Sequence, residues 1–385
     1  MKTFLSLCAC LGAAAAFPAD LPRDTASILA PGLPAKAPPH WVWLNDMSFM
    51  RLTDGRAYLI DADQGSMLGM LSTGFNFVSV LPSRDGSVIY SPETYFSRGV
   101  RGTRTDVVSL YDPVHLTPVA EIEIPAKRAS AIPMANESAL TDDDRFLLVY
   151  NFTPAQSTTV VDTRSRKFVT ELDTAGCAMA FPTGPRRFFA ICADATLLVV
   201  RLDDQGQLAS AAHTKPLFER EKDPITEKGV RLGDTWYFTS FESIIHPIKA
   251  DATDATDATG ATVGKRWSLV TDAERADGWR TGGLQQLAIH RATKRLYAIM
   301  HKGPLSTHKD PGTDVWVYDI ATGKRVQQIT LKNLATSIQV SQDDQPLLYG
   351  AFIASPVLDI YDARSGQYLR SVGDLAQTAT LLVTP

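Results

Sequence analysis

From Trp41 onward, short apolar runs alternate with polar turns, and one arrangement keeps returning: an apolar strand, an aspartate, a short polar turn, a second strand. It reads Tyr58-Leu-Ile-Asp61 with Gly65, Ser109-Leu-Tyr-Asp112, Val160-Val-Asp162, Val200-Arg-Leu-Asp203, Val317-Tyr-Asp319 with Gly323, and Ile360-Tyr-Asp362 with Gly366. Pro247-Ile-Lys-Ala-Asp251 is a weaker copy. β-Branched and aromatic residues before the aspartate suit a half-buried strand. The carboxylate can cap the turn backbone, and a glycine accepts the left-handed conformation that closes a hairpin. Successive aspartates lie 51, 50, 41, 48, 68 and 43 residues apart, near the roughly 40–50-residue period of propeller blades. The pattern predicts an all-β fold, a seven-bladed β-propeller over residues 41–385.

In the second unit, strands are expected at 77–81, 87–95, 105–111 and 119–124. The last apolar run, 380–384, has no hairpin partner of its own. It is expected to pair near Trp41 and close the ring, hiding the edges that invite aggregation. Two stacked sandwiches would not explain a regular period, and a β-helix needs shorter repeats. The long gap of 68 holds the low-complexity Asp-Ala-Thr run from Asp251 and then Thr271-Asp-Ala-Glu274, a capping box. It predicts a short helical insertion over 272–277, ended by Gly278, on a face of the disc.

The chain before Trp41 reads differently. Prolines at 18, 22, 31, 34, 38 and 39 forbid helix or central strand, so 17–40 is expected to be an extended arm. Residues 1–16 read as a signal peptide: Lys2, an apolar stretch too short to span a bilayer, then Ala14 and Ala16 as a small-x-small site with Phe17 as the first mature residue. Cleavage after Ala19 and a buried N-terminal helix are the competing readings, and Cys10 faintly resembles a lipoprotein site.

Composition narrows the function classes. The 385 residues carry 38 basic against 42 acidic side chains, net −4, which leaves no basic footprint for nucleic acid. No apolar run reaches the roughly 18–20 residues of a membrane span. Export removes Cys8 and Cys10 and leaves Cys177 and Cys192, and an even pair in an oxidising compartment reads as one disulfide.

The mature chain has no Gly-rich phosphate loop, no G-x-S-x-G, no H-E-x-x-H and no C-x-x-C. No catalytic residue and no metal site is expected. His301 and His308 could bind metal only through a specific loop, and loop histidines at blade edges are the plainer reading. Asp142-Asp-Asp144 and Asp343-Asp344 look like hairpin turn carboxylates. The 98–104 stretch, with three arginines and two glycines beside Tyr95 and Phe96, suits either a solvated hairpin or a protein interface.

Several stretches resemble the heavy subunit of the quinoprotein amine dehydrogenases, the methylamine and aromatic amine dehydrogenase family. They are Arg98-Gly-Val-Arg-Gly-Thr-Arg-Thr-Asp106, Tyr111-Asp-Pro113, Ile124-Pro-Ala-Lys-Arg128, and Val340-Ser-Gln-Asp-Asp-Gln-Pro-Leu-Leu-Tyr349. The most specific is Trp267-Ser-Leu-Val-Thr-Asp-Ala-Glu-Arg-Ala-Asp-Gly-Trp279, continued by Gly282-Gly-Leu-Gln-Gln286 and His290-Arg291. The resemblance implies a periplasmic assembly of two heavy and two light subunits. The light subunit carries tryptophan tryptophylquinone, oxidises a primary amine to aldehyde and ammonia, and passes electrons to a small copper protein. It also implies an intrachain disulfide mid-chain, matching Cys177 and Cys192, and an amine-channel phenylalanine at Phe49. Phe96, Arg98, Arg101, Arg104 and Trp279 are the expected contacts to the light subunit. An exported binding propeller is one alternative. A lactonase-like propeller enzyme is the other, and would need Glu, His or Arg clustered at inner-strand ends.

Overall fold

The computed structural model describes residues 32–76, 79–130, 133–250 and 260–385. The expected signal peptide, most of the arm and the Asp251 copy lie outside them. The rest forms seven antiparallel sheets of four or five strands. Each runs in sequence order from an innermost strand a to an outermost strand d, except the first. There the order is Ser66–Ser72, Arg56–Asp61, Trp41–Asp46, Ala379–Val383. The C-terminal strand is thus strand a of the first blade, with Trp43 opposite Val383 and Leu44 opposite Leu382. The expected seven-bladed propeller and its ring closure are both present.

Blades stack face to face, so their middle strands are covered on both sides and read as unbroken apolar runs instead of alternating ones. Phe146–Asn151 and Leu358–Asp362 are nearly all buried, whereas the outer strand Lys167–Asp173 is largely open. Apolar clusters fill the spaces between blades. The densest joins the fourth and fifth, where Phe181 lies 5.1 Å from each of Phe189, Trp236 and Phe238.

The aspartate hairpins join strands c and d. In six of them a carboxylate oxygen accepts backbone N–H bonds of 2.7–3.0 Å from within the turn, as Asp61 does from Asp63 and Gln64, and Asp362 from Arg364 and Ser365. The left-handed position that follows is glycine at Gly65, Gly206, Gly323 and Gly366, but Leu116 (φ 55°) and Arg166 (φ 54°) in the other two. Leu116 is held there by packing against the apolar cluster that includes Trp41, Trp43 and Leu71. Arg166 is exposed and has no such compensation. A left-handed non-glycine residue costs about 1–2 kcal/mol, and glycine returns roughly 0.4–1 through unfolded-chain entropy. Arg166→Gly should therefore stabilise by up to about 1 kcal/mol, and Leu116→Gly should destabilise, both read from denaturant midpoints.

Two details depart from the sequence reading. Of the strand expected at 77–81 in the second blade, residues 77 and 78 lie outside the described set, Ser79 and Val80 are not in a strand, and the inner strand is Leu81–Pro82. The cysteine-flanked segment Phe181-Pro-Thr-Gly-Pro185, which in the sequence reads as the turn between two strands of one blade, is mostly strand. Strand Cys177–Gly184 runs through it, and only Pro185 and Arg186 connect to Arg187–Cys192.

Antiparallel order assigns every connection to one of two faces. The a–b and c–d turns lie on one, and the b–c loops and inter-blade links on the other. The end of the arm rests on the first face: the Leu33 amide donates to the Val114 carbonyl, and His40 bridges Asp63 (2.8 Å) and Asp343 (3.1 Å) across the ring seam. Burial opposes protonation of His40. The hydrogen bond and charge of Asp63, with the charge of Asp343, outweigh it, so its pKa lies above 6.5. A raised folded pKa stabilises fully below the unfolded value and loses that contribution as pH climbs through the folded one. The unfolding temperature of wild type relative to His40→Gln should accordingly shrink as pH rises above about 6.5, measured by calorimetry across that range.

Candidate functional site

The b–c face carries most of the residues singled out by sequence, because the 47–55 and 97–103 loops are both b–c connections and the 264–286 segment is an inter-blade link. Asp46 builds the first. Its carboxylate accepts the amides of Ser48, Gln377 and Thr378, each at 2.8 Å, pinning the loop to the chain before the closing strand. Ser48 takes a left-handed conformation (φ 47°), and Phe49–Arg51 follow as one 3-10 turn. Phe49 and Met50 are left 61% and 76% exposed, so Phe49 is not a core aromatic.

The second loop is a tight hairpin, with Ser97 and Arg98 amides donating to the Thr103 and Arg101 carbonyls. It presents Arg98, Val100 and Arg101 to solvent, with no ion pair at either arginine among the described residues. Phe96 is half-buried against Phe75 at 5.1 Å. Arg104 differs. Its guanidinium meets Asp106 through two bonds of 2.7–2.8 Å and caps the Arg128 carbonyl, so it holds the blade together. Beneath Tyr95, the buried Glu93 accepts hydroxyl bonds from Tyr95, Ser109 and Tyr111. Burial raises its pKa despite these donors, which favour the charged form.

The insertion forms as predicted. At the N-terminus of helix Asp272–Ala276 the Thr271 hydroxyl accepts the Glu274 amide and the Glu274 carboxylate accepts the Thr271 amide, and Gly278 (φ 85°) follows the C-cap. Ion pairs of Arg325 to Glu274 (2.6 Å) and Arg275 to Glu242 (2.7 Å) fix it. Trp279 is half-buried, 4.9 Å from Trp316 with Lys302 over its ring. It anchors the insertion to the sixth blade, apart from Phe49 and Phe96 on the first two.

Between these regions lies a hollow of about 760 Å3 that the sequence did not disclose. Phe152, Met179, Phe218, Phe241 and the disulfide line it, with Glu137, Lys228 and His308 as polar groups. Its walls come from separate links of four blades, so no local motif marks it. Burial and the nearby Lys309 push the Lys228 amine down to about 8, and burial with Lys228 and Lys309 pushes His308, stacked 3.9 Å from Phe241, down to about 4. His301 is a buried strand residue, so it and His308 do not share a loop. Cys177 and Cys192 sit directly opposite in register and are bonded. Among the described residues, the one grouping of three possible metal ligands is this pair with His213, and both sulfurs are committed to each other.

Residues 39–385 match the family model of the methylamine dehydrogenase heavy chain. The chain belongs to that family. It is 34% identical over 331 residues to the methylamine dehydrogenase heavy chain of Paracoccus versutus, covering 85% of this chain and 75% of the relative. Against that of Methylophilus methylotrophus it is 31% identical over 366 residues, covering 94% and 87%. Solved structures share the fold alone. A functionally unknown protein from Desulfotomaculum acetoxidans superposes with TM-score 0.62 at 12% identity, covering 89% and 98%; dihydro-heme d1 dehydrogenase NirN gives 0.53 at 15%, covering 88% and 65%. The relatives are heavy chains of an oxidoreductase, the methylamine dehydrogenase. No helix among the described residues is long and apolar enough to cross a membrane.

Proposed function

We propose that this heavy chain is the scaffold of a periplasmic assembly of two heavy and two light subunits, and that its b–c face receives the light subunit. The observation that carries the reading is the exposed apolar group Phe49, Met50 and Val100, two b–c loops supported from below by Asp46 and by the Glu93 cluster. Other large exposed apolar side chains, such as Met67, Val119, Phe168 and Val326, are scattered on outer strands. Apolar loops on a rigid base, beside unpaired arginines, are what a protein interface needs.

The tryptophan tryptophylquinone, which the light subunit would make from its own side chains, would supply the two-electron oxidation of the amine: RCH2NH2 plus water gives RCHO, ammonia, two protons and two electrons. This chain's part is to bind and orient that subunit and, through Phe49, to shape the amine's approach. The electrons then leave to a small copper protein. The test is co-expression with a light subunit of the same family, followed by purification through the heavy chain. Co-elution with quinone absorbance and amine-dependent dye reduction is expected; a heavy chain that purifies alone beside a folded light subunit overturns the assignment.

A further inference from the structure

A lysine taken out of water keeps its charge only if a carboxylate meets it. Among the described residues three lysines are not exposed: Lys127, Lys228 and Lys249. Lys127 pairs with Glu171 at 2.9 Å, and Lys249 with Asp234 at 2.5 Å. Lys228 alone of the three has no carboxylate within ion-pair distance among the described residues, and its amine donates instead to the neutral Gly283 carbonyl.

Its place in the fold accounts for this. Lys228 lies near the end of the link between the fourth and fifth blades, just before strand Val230–Leu232. There it stands on the wall of the 760 Å3 hollow, among Phe152, Met179, Phe218 and Phe241. Its sequence neighbour Glu227 is exposed and supports its charge less than Lys309, on the same wall, opposes it. His308 beside them is held neutral, so it adds no counter-charge. A lysine desolvated against apolar walls, next to a second cation, is one of the recognised ways of making an amine nucleophilic toward carbonyl carbon. Neither the Phe49 loop nor the 97–103 hairpin takes part in this arrangement.

We propose that Lys228 is a reversible covalent capture site for small apolar aldehydes, which it holds as imines within the hollow. The Nζ lone pair adds to the carbonyl carbon, the carbinolamine loses water, and C=N replaces C=O: RNH2 plus R'CHO gives RN=CHR' plus water. No electrons are gained or lost, so no further reactant is required, and hydrolysis returns both partners. The aromatic and methionine walls suit an alkyl or aryl group on the aldehyde. That the assembly's own product is such an aldehyde rests on the proposed function; the reactivity of Lys228 does not.

The purified full chain, without light subunit, is treated with benzaldehyde and cyanoborohydride, which fixes each imine as a secondary amine, and peptide mass spectrometry locates the label. At pH 7.5 Lys228 should be labelled about tenfold faster than exposed lysines such as Lys36 and Lys324, since an unperturbed lysine is almost wholly protonated there. That ratio should fall as pH rises from 7 to about 10, because the amine of Lys228, pushed down to about 8, has already lost its proton while unperturbed ones are still losing theirs. Lys228→Arg, which keeps charge and stem, should lose the fast label and leave the slow ones. Should that variant fold poorly, the wild-type ratio decides alone. Lys228 labelled no faster than Lys36 and Lys324, or a ratio that does not change with pH, overturns the site. Because the light subunit is absent from this experiment, its failure leaves the light-subunit assignment standing, and a failed co-elution leaves Lys228 standing.

Discussion

A heavy chain carrying Phe49→Asp and Met50→Asp together should fold normally and fail to hold its light subunit. Both side chains point into solvent, and the loop beneath them is fixed through the Asp46 carboxylate and backbone amides that the substitutions do not touch. The unfolding temperature should therefore stay near wild type. At an interface centre the same substitutions remove two apolar anchors and force two carboxylates out of water. Truncating one central anchor costs about 2 kcal/mol or more, on the order of a 30-fold loss, and burying unpaired charge adds to it. Calorimetric titration with the light subunit checks this, with wild-type affinity in the double variant as the result that removes the b–c face from consideration. Two single variants refine the reading. Phe49→Ala with intact assembly but altered amine preference makes Phe49 a channel residue. Trp279→Ala should lower the unfolding temperature of the lone chain, because Trp279 packs on Trp316, so its effect on assembly must be read against that loss.

The second large effect concerns the pair Cys177 and Cys192. Their bond spans a separation of 15 residues in one hairpin, and closing a loop of that size stabilises by roughly 3 kcal/mol on the chain-entropy model. Both sulfurs are buried among Phe146, Phe188 and Leu198, so the double alanine variant also loses packing, and about 3 kcal/mol is a lower expectation. The wall of the 760 Å3 hollow includes both cysteines, so loosening should be felt there first, as faster amide exchange at 176–179 and 191–193. Denaturant unfolding with and without reductant measures the total. Two free thiols by mass spectrometry in protein from an oxidising compartment, or a midpoint indifferent to reductant, would show that the bond contributes nothing.

How legible the molecule was in its sequence depended on the range of the signal. The c–d hairpins were readable because each is local: an aspartate, the amides within its turn, and a left-handed residue within a few positions. Even Leu116 and Arg166, which break the glycine rule, sit where Asp112 and Asp162 already define the turn. The insertion was readable for the same reason, since Thr271 and Glu274 are three apart. Inner strands were harder. They are short, and extended polar-edged segments such as 181–185 look like turns until a partner strand pairs with them. The exposed loops could be placed but not ranked. Arg98, Arg101 and Arg104 look alike in the sequence, and only the structure shows that Arg104 is occupied by Asp106 while the other two face solvent. The hollow was invisible, because it gathers single residues from several blades.

The seam of the first blade has a consequence for how such a chain reaches its folded state. Trp43 waits for Val383, the most distant pairing in the molecule, and closing so long a loop is slow compared with forming any hairpin. A chain that emerges from its N-terminal end first can build the other blades as it appears, yet the first remains three strands with an open inner edge until the last residues arrive. That edge is a vacancy only this chain's own tail is shaped to fill. The ring is in effect a latch that reports whether synthesis was completed: a truncated product keeps an unpaired strand on display and remains a substrate for chaperones and proteases, whereas an intact one shuts and becomes a rigid surface fit for a partner.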